Sequence, residues 1–305
     1  MKYILSAVSI LIILISCSFK VKKKAPPLNI PSGTVSLKMV PESFITELPD
    51  ELVESSALIY YNGLLWTIND SGGENKLYGF DFSGNIKKEI TVKNAENDDW
   101  EEITQDEKYI YIGDFGNNNG IRKNLRIYKV KKKNLDAKDN EVKAEVIEFV
   151  YANQKNFHFT MNETPFDCEA MVEWNNQLYL FTKDWEKQTT TIYKILNKEG
   201  KYNLFPGETF NVNGLVTGAS LSPDKKSLVL LGYRDFVPFL WLFSNYKDDH
   251  FFSGEKSFIL MDSITDAQTE GVCYLNNNIL LISCEQASSF PQQVFLVNTK
   301  TIKRP

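Results

Sequence analysis

Apolar positions along this chain come in alternation or in short continuous runs bounded by polar turns, and no stretch sustains a helical period. The continuous runs are Leu64-Leu65-Trp66-Thr67-Ile68, Tyr109-Ile110-Tyr111-Ile112, Leu178-Tyr179-Leu180-Phe181, Leu228-Val229-Leu230-Leu231 and Ile279-Leu280-Leu281-Ile282. Runs this short, rich in branched and aromatic side chains, suit strands covered on both faces. Each follows a polar turn: Asn62-Gly63, Asp106-Glu107, Asn175-Asn176, Pro223-Asp224 or Asn276-Asn277. Such residues close hairpins because they accept the backbone angles a tight turn requires.

The segments ahead of these turns repeat. They are Glu54-Ser55-Ser56-Ala57-Leu58, Asp99-Trp100-Glu101-Glu102-Ile103, Asp167-Cys168-Glu169-Ala170-Met171, Val216-Thr217-Gly218-Ala219-Ser220 and Gln268-Thr269-Glu270-Gly271-Val272. Their central residues, 56, 101, 169, 218 and 270, are 45, 68, 49 and 52 residues apart. A period of about 40–50 residues with strand-like content marks propeller blades. A third strand follows in each unit (76–80, 125–130, 191–195, 239–243, 293–297), and four units offer a fourth (86–92, 145–151, 208–212, 257–261). The fold expected is all-β, a β-propeller of five blades, with six as the alternative. The fifth unit lacks a fourth strand, and the alternating stretch 34–40 is expected to supply it and close the ring, removing an open sheet edge. Residues 153–166 read as an insertion, and the lysine-rich stretch 129–143 as a solvated loop.

The first residues carry a different signal. Lys2 precedes an apolar run, Ile4 to Ile15, too short to span a bilayer as a helix. It ends in Leu14-Ile15-Ser16-Cys17, which resembles the lipobox of bacterial lipoproteins. Residues 1–16 are therefore expected to be a signal peptide, Cys17 the lipidated residue, 17–33 a tether and 34–305 the propeller. Lys20, Lys22, Lys23 and Lys24 in the tether either rest on anionic headgroups or are simply solvated. The expected location is the bacterial cell envelope, facing the periplasm, with the membrane as a partner through the anchor.

Composition narrows the rest. A net charge of −5 argues against a nucleic-acid partner. Two histidines, His158 and His250, disfavour a histidine-rich zinc site and a serine–histidine triad. Cys168, Cys273 and Cys284 are an odd set, and the hairpin turn at 276–278 keeps Cys273 and Cys284 from facing one another, so no disulfide is expected there. A monomer is expected.

In a propeller the innermost strands start on one rim, and the second strands end on it. That rim would gather Glu54, Asp99, Glu101, Asp167, Glu169 and Glu270 with Asn69, Asp70, Asp114, Asn117, Asn118, Lys183, Asp184, Arg234, Asp235 and Glu285. So many carboxylates repel one another unless compensated by Lys183 and Arg234 or by a hard cation. An oxygen-only donor set suits Ca²⁺. The alternative is that the acids accept backbone N–H groups and pin the blades together. Trp100, Trp185 and Tyr233 near this rim would stack on a ligand or pack between blades. Asn69, Asp70, Asp99, Trp100, Asp114, Asn117, Asp167, Lys183, Arg234 and Glu285 are the ligand-binding candidates.

At these residues the chain resembles the SdiA-regulated family of periplasmic propellers, and is more distantly similar to NHL-type and SMP-30/gluconolactonase-type propellers. The resemblance rests on Glu54-Ser55-Ser56-Ala57-Leu58, Trp66-Thr67-Ile68-Asn69-Asp70-Ser71-Gly72, Asp99-Trp100-Glu101-Glu102-Ile103, Gly113-Asp114-Phe115-Gly116-Asn117-Asn118 and Asp167-Cys168-Glu169-Ala170. It implies Ca²⁺ at the centre of one rim, with Glu54, Glu101, Glu169 and Glu270 as candidate ligands; the chain departs from the pattern at Gly218. The function expected is a cell-envelope lipoprotein propeller that binds a small molecule, glycan or protein partner, with a Ca²⁺-dependent lactonase or esterase as the alternative.

Overall fold

The computed structural model describes residues 27–136, 138 and 140–301. The expected signal peptide, Cys17 and the tether lysines lie outside the described residues. Five sheets stand in a ring, the arrangement of a β-propeller. From the hub outward, the first blade comprises Ile59–Tyr61, Leu64–Thr67, Lys76–Phe80 and Ile86–Val92. The second comprises Trp100–Gln105, Tyr109–Asp114, Leu125–Lys131 and Glu145–Tyr151, and the third Asp167–Trp174, Gln177–Lys183, Thr189–Leu196 and Pro206–Asn211. The fourth comprises Leu215–Leu221, Ser227–Arg234, Val237–Ser244 and Glu255–Leu260.

The fifth blade takes Thr269–Asn276, Ile279–Cys284 and Gln293–Asn298 from its own unit. The ring is closed by an N-terminal strand, but not by the stretch expected. Glu42–Ile45 pairs antiparallel with Gln293–Asn298. Thr34–Lys38 instead runs parallel to Glu255–Leu260 on the outer edge of the fourth blade. Pro41, which has no N–H for a ladder, lies in the short link between the two strands, where the chain crosses to the fifth blade.

Two other edges are covered similarly. Glu141–Val142 lies parallel to Ile86–Val92, so part of the lysine-rich stretch expected to be a loop is a strand on the first blade. Gly200–Leu204 lies parallel to Glu145–Tyr151 on the second blade. Chain from the next unit thus blunts an exposed strand edge and ties neighbouring blades together.

The continuous apolar runs are explained by what each strand faces. Its two sides meet different neighbours, so Ile110 and Ile112 join the cluster between blades one and two, while Tyr111 joins the one between blades two and three. Leu228 and Leu230 face blade three; Val229 and Leu231 face blade five. One such cluster fills each of the five interfaces, including the one between blades five and one. This closes the count at five. Cys168, Cys273 and Cys284 are buried and free, and Cys284 pairs in register with Thr269.

Candidate functional site

The repeated segment at the start of each innermost strand contains a local irregularity that positions the site. The register slips by one residue between Trp100 and Glu102, Cys168 and Ala170, Val216 and Gly218, and Thr269 and Gly271. A bulged residue leaves the ladder and its side chain is re-aimed. The bulged residues are Glu101, Glu169, Thr217 and Glu270. A matching slip separates the Ser55–Asn69 bridge from the Ile59–Trp66 pair, with Ser56 inside it. In the fourth blade the equivalent of the glutamates is therefore Thr217, one residue before the position that simple alignment of the repeats selects.

The five positions split into two roles. Ser56 Oγ donates to Trp100 O at 3.1 Å, and Thr217 Oγ1 donates to Thr269 O at 2.8 Å. Each hydroxyl thus ties its blade to the next. The three glutamates instead face a cavity of about 350 Å³ at the upper mouth of the hub. Asp70, Lys183, Tyr233 and Glu285 also line it.

Charge is distributed unevenly around that cavity. On one side Glu169 Oε1 lies 3.1 Å from Lys183 Nζ. Burial works against the charge on Lys183, yet Glu169, Tyr233 and Glu270 hold its pKa well above the ordinary value. Its ammonium also sits 4.7 Å from the Trp185 ring centre and 5.6 Å from that of Tyr233. Gln268 donates to Glu285 beside Glu270. Burial, then the charge of Glu270, pushes Glu285 up to about 9, and burial raises Glu270 itself to about 7 against the pull of Lys183.

On the other side the acids form no ion pair among the described residues; Arg122 and Lys183 pull on Asp99 and Asp70 only from a distance. Oxygens of Asp70, Asp99 and Glu101 all lie within 4.8 Å of one another. Glu101 is 7% exposed and has no hydrogen-bond or ion-pair partner among the described residues. Burial first, then the charges of Glu169, Asp70 and Asp99, raise its pKa well above the usual range. Burial and the charges of Asp70 and Asp167 lift Asp99 to about 7. The backbone of Gly116 leaves room for these carboxylates: a Cβ there would lie 2.2 Å from Glu101 Oε1 and 2.4 Å from Asp99 Oδ2.

Other predicted candidates form the frame. Asp114 is wholly buried and bound to Arg122 at 2.7 Å and Arg126 at 3.0 Å. Asp167 accepts from Asn117 N at 2.6 Å and Trp185 Nε1 at 2.7 Å. Asn117 is buried and its amide donates to Phe166 O. Trp100 is fully buried in an interblade cluster, its indole donating to Glu96 O. Asn69 donates to Glu51 O, and Arg234 donates to Gln188 and to Asn213 O. Glu54 is exposed beyond the cavity lining. Of the four predicted metal ligands, only Glu101 joins the corner with Asp70 and Asp99; Glu169 and Glu270 lie beside Lys183.

Sequence reasoning did not single out Asn162, Phe236 or Gln268, which also line the cavity. Asn162 N donates to Asn118 O and Thr160 N to Asn119 O, each at 3.0 Å, folding the insertion onto the rim. Phe236 is carried there by a turn in which Asp235 and Phe236 both have positive φ, 50° and 66°, a strained choice for an aromatic residue. The repeat supplied no signal for Asn162 and Phe236, whereas Gln268 heads the fifth repeat segment at the position of Asp99 and Asp167 and was passed over only because it is not an acid.

Glu102, next to Glu101, points elsewhere. It is wholly buried, its Oε1 accepting from Ile103 N and its Oε2 from Ala219 N of the fourth blade, both at 2.9 Å. It braces the hub between the upper cavity and a lower basin.

No protein-family model matches this chain, and no curated protein does. Among solved structures, the Cps50 (Swd1) β-propeller domain of Myceliophteria thermophila is similar at a TM-score of 0.43 and 7% identity, over 84% of this chain and 99% of that one. The nidogen/laminin complex gives a TM-score of 0.43 at 10% identity, over 84% and 92%. A luciferin-regenerating enzyme gives 0.42 at 10% identity, over 85% and 95%. These are likenesses of fold; blade count and closure rest on the strand pairings above.

Proposed function

We propose that this chain is a lipid-anchored binding propeller of the bacterial cell envelope, of the SdiA-regulated type, that takes its ligand at the acidic mouth through a Ca²⁺ ion. One observation carries the reading: Glu101 is buried without a partner and converges with Asp70 and Asp99. Burying a carboxylate in such company costs several kcal/mol unless a cation meets it or a proton neutralises it. The donors are all oxygens, as Ca²⁺ prefers, and oxygens this close can share one ion at about 2.3–2.6 Å. Three carboxylates do not fill six to eight positions, which leaves room for ligand oxygens. The resemblance of Leu14-Ile15-Ser16-Cys17 to a lipobox supports the anchor and the envelope location.

The test is calorimetric titration of the purified protein with Ca²⁺, beside thermal unfolding in EDTA and in Ca²⁺. Saturable binding that raises the melting temperature is expected, since a ligand specific to the folded state at a hundredfold excess over Kd stabilises it by about 2.7 kcal/mol. Glu101→Gln and Gly116→Ala should both abolish the rise. No shift at millimolar Ca²⁺ would overturn the ion.

A second reading, a Ca²⁺-dependent lactonase or esterase, is favoured by Glu270. It lines the same cavity, and burial raises its carboxyl to about 7, which suits a general base. EDTA-sensitive turnover of lactone or ester substrates that is lost in Glu270→Gln would support it.

A further inference from the structure

The opposite mouth of the hub is a basin of about 820 Å³ to which all five blades contribute. That is within the roughly 300–1,000 Å³ of small-molecule sites. Its charges balance, unlike those above: Asp106, Glu107 and Glu173 stand with Lys108, Lys129 and Lys225. Several of these are already committed. Asp106 caps its own turn, accepting from Lys108 N at 2.6 Å, Tyr109 N at 2.7 Å and Tyr111 OH at 2.6 Å. Lys129 lies 4.1 Å from the Tyr109 ring centre and 3.3 Å from Glu145. The basin therefore presents no surplus charge to an ionic ligand.

What it does present is aromatic surface and a set of polar side chains. Tyr60, Tyr109 and Trp174 are half-buried in its lining; amides of Asn175 and Asn197 stand beside them, and Gln105 Nε2 donates to Tyr60 O at 2.9 Å. Tyr274 is 8% exposed, and its hydroxyl has no partner among the described residues. The Trp174 indole N–H also has none. Glu173 is 7% exposed and its carboxylate accepts one N–H, from Asn176 at 2.9 Å. These groups open onto the water of the basin, so a ligand that displaces that water keeps its affinity only if its own polar groups replace the lost hydrogen bonds, which makes them a source of specificity.

We infer that this basin binds an uncharged oligosaccharide. A pyranose ring has an apolar C–H face that stacks on Tyr60 or Trp174 and an edge of hydroxyls that both donate and accept. Those hydroxyls meet the Trp174 N–H, the Tyr274 hydroxyl and the Glu173 carboxylate. The inference is independent of the calcium reading, because no residue of the acidic mouth takes part.

The test is binding of the full-length chain to an array of neutral oligosaccharides (oligomers of glucose, mannose, galactose and N-acetylglucosamine), followed by calorimetry on the hits. Saturable binding that is unchanged by EDTA and by Glu101→Gln is expected. Tyr274→Phe, which removes only a hydroxyl without a partner, should weaken binding about tenfold at an unchanged melting temperature, about the effect of one hydrogen bond. Trp174→Ala should weaken it more. Three results would overturn the inference: no neutral oligosaccharide bound at millimolar concentration, binding of charged ligands or peptides only, or binding that survives both basin variants. Loss of sugar binding in EDTA or Glu101→Gln would also overturn it and move the ligand to the upper mouth.

Discussion

Glu169 Oε1 lies 3.1 Å from Lys183 Nζ, with the two side chains only 5% and 8% exposed. Lys183 faces Glu270 and Asp167 as well, so its ammonium serves a group of acids. Removing one partner of a buried pair leaves the other uncompensated, which costs about 3–5 kcal/mol. Lys183→Met should therefore destabilise the protein by about that much in urea unfolding at neutral pH. Glu169→Gln combined with Lys183→Met should recover a substantial part of the loss. A single variant as stable as the parent would show that solvent already screens the pair.

The two hydroxyl staples between blades make a separate prediction. Ser56→Ala and Thr217→Val each remove one buried hydrogen bond, 3.1 Å and 2.8 Å long, and leave a carbonyl of the next blade without it. Each should cost about 1–2 kcal/mol. Because they span different interfaces, their effects should add within about 0.5 kcal/mol in the double variant. Neither should alter Ca²⁺ titration, since neither side chain lines the upper cavity.

At Glu102, both carboxylate oxygens accept backbone N–H groups, from Ile103 and from Ala219 across the hub. Burial raises the pKa of this group well above the usual range. Glu102→Gln keeps the volume but turns one acceptor into a donor facing an N–H. A loss of about 1–3 kcal/mol is expected. Hydrogen exchange at the Ala219 amide should speed up with it; an unchanged exchange rate there would argue against the bond.

Much of this was legible in the sequence because blade strands carry their own pattern. The runs around Ile110, Leu180 and Leu230 are apolar on both sides since each strand serves two interfaces, and the spacing of their turns gave the count of five. Closure was misplaced because 34–38 and 42–45 are both competent strands, and an alternating pattern does not say which sheet edge receives it. The site was partly legible: Asp70, Asp99, Glu101, Glu169, Lys183, Glu270 and Glu285 do reach one mouth. Asp114, Asn117 and Asp167 share their residue types but are held by Arg122, Phe166 and Trp185, partners set by the fold and not by local spacing. Thr217 was displaced by one because a bulge adds a residue that leaves no mark in composition.

The acidic mouth should also set how stability depends on pH. Asp99 and Glu270 are raised to about 7 and Glu285 to about 9, against ordinary values near 4. A carboxylate whose pKa is higher folded than unfolded binds its proton more tightly in the folded state. Its contribution is full below the unfolded pKa and is lost as pH rises through the folded one. Lys132, lowered to about 8 by burial, acts in the opposite sense only above that pH. In EDTA the melting temperature should therefore fall from about pH 5 to pH 8. Ca²⁺ favours the charged carboxylates, so the fall should flatten when it is added, and binding should release protons into the buffer. Glu270→Gln should flatten the EDTA profile without Ca²⁺. A melting temperature that holds or rises across this window in EDTA would mean the acids are already compensated in the free protein.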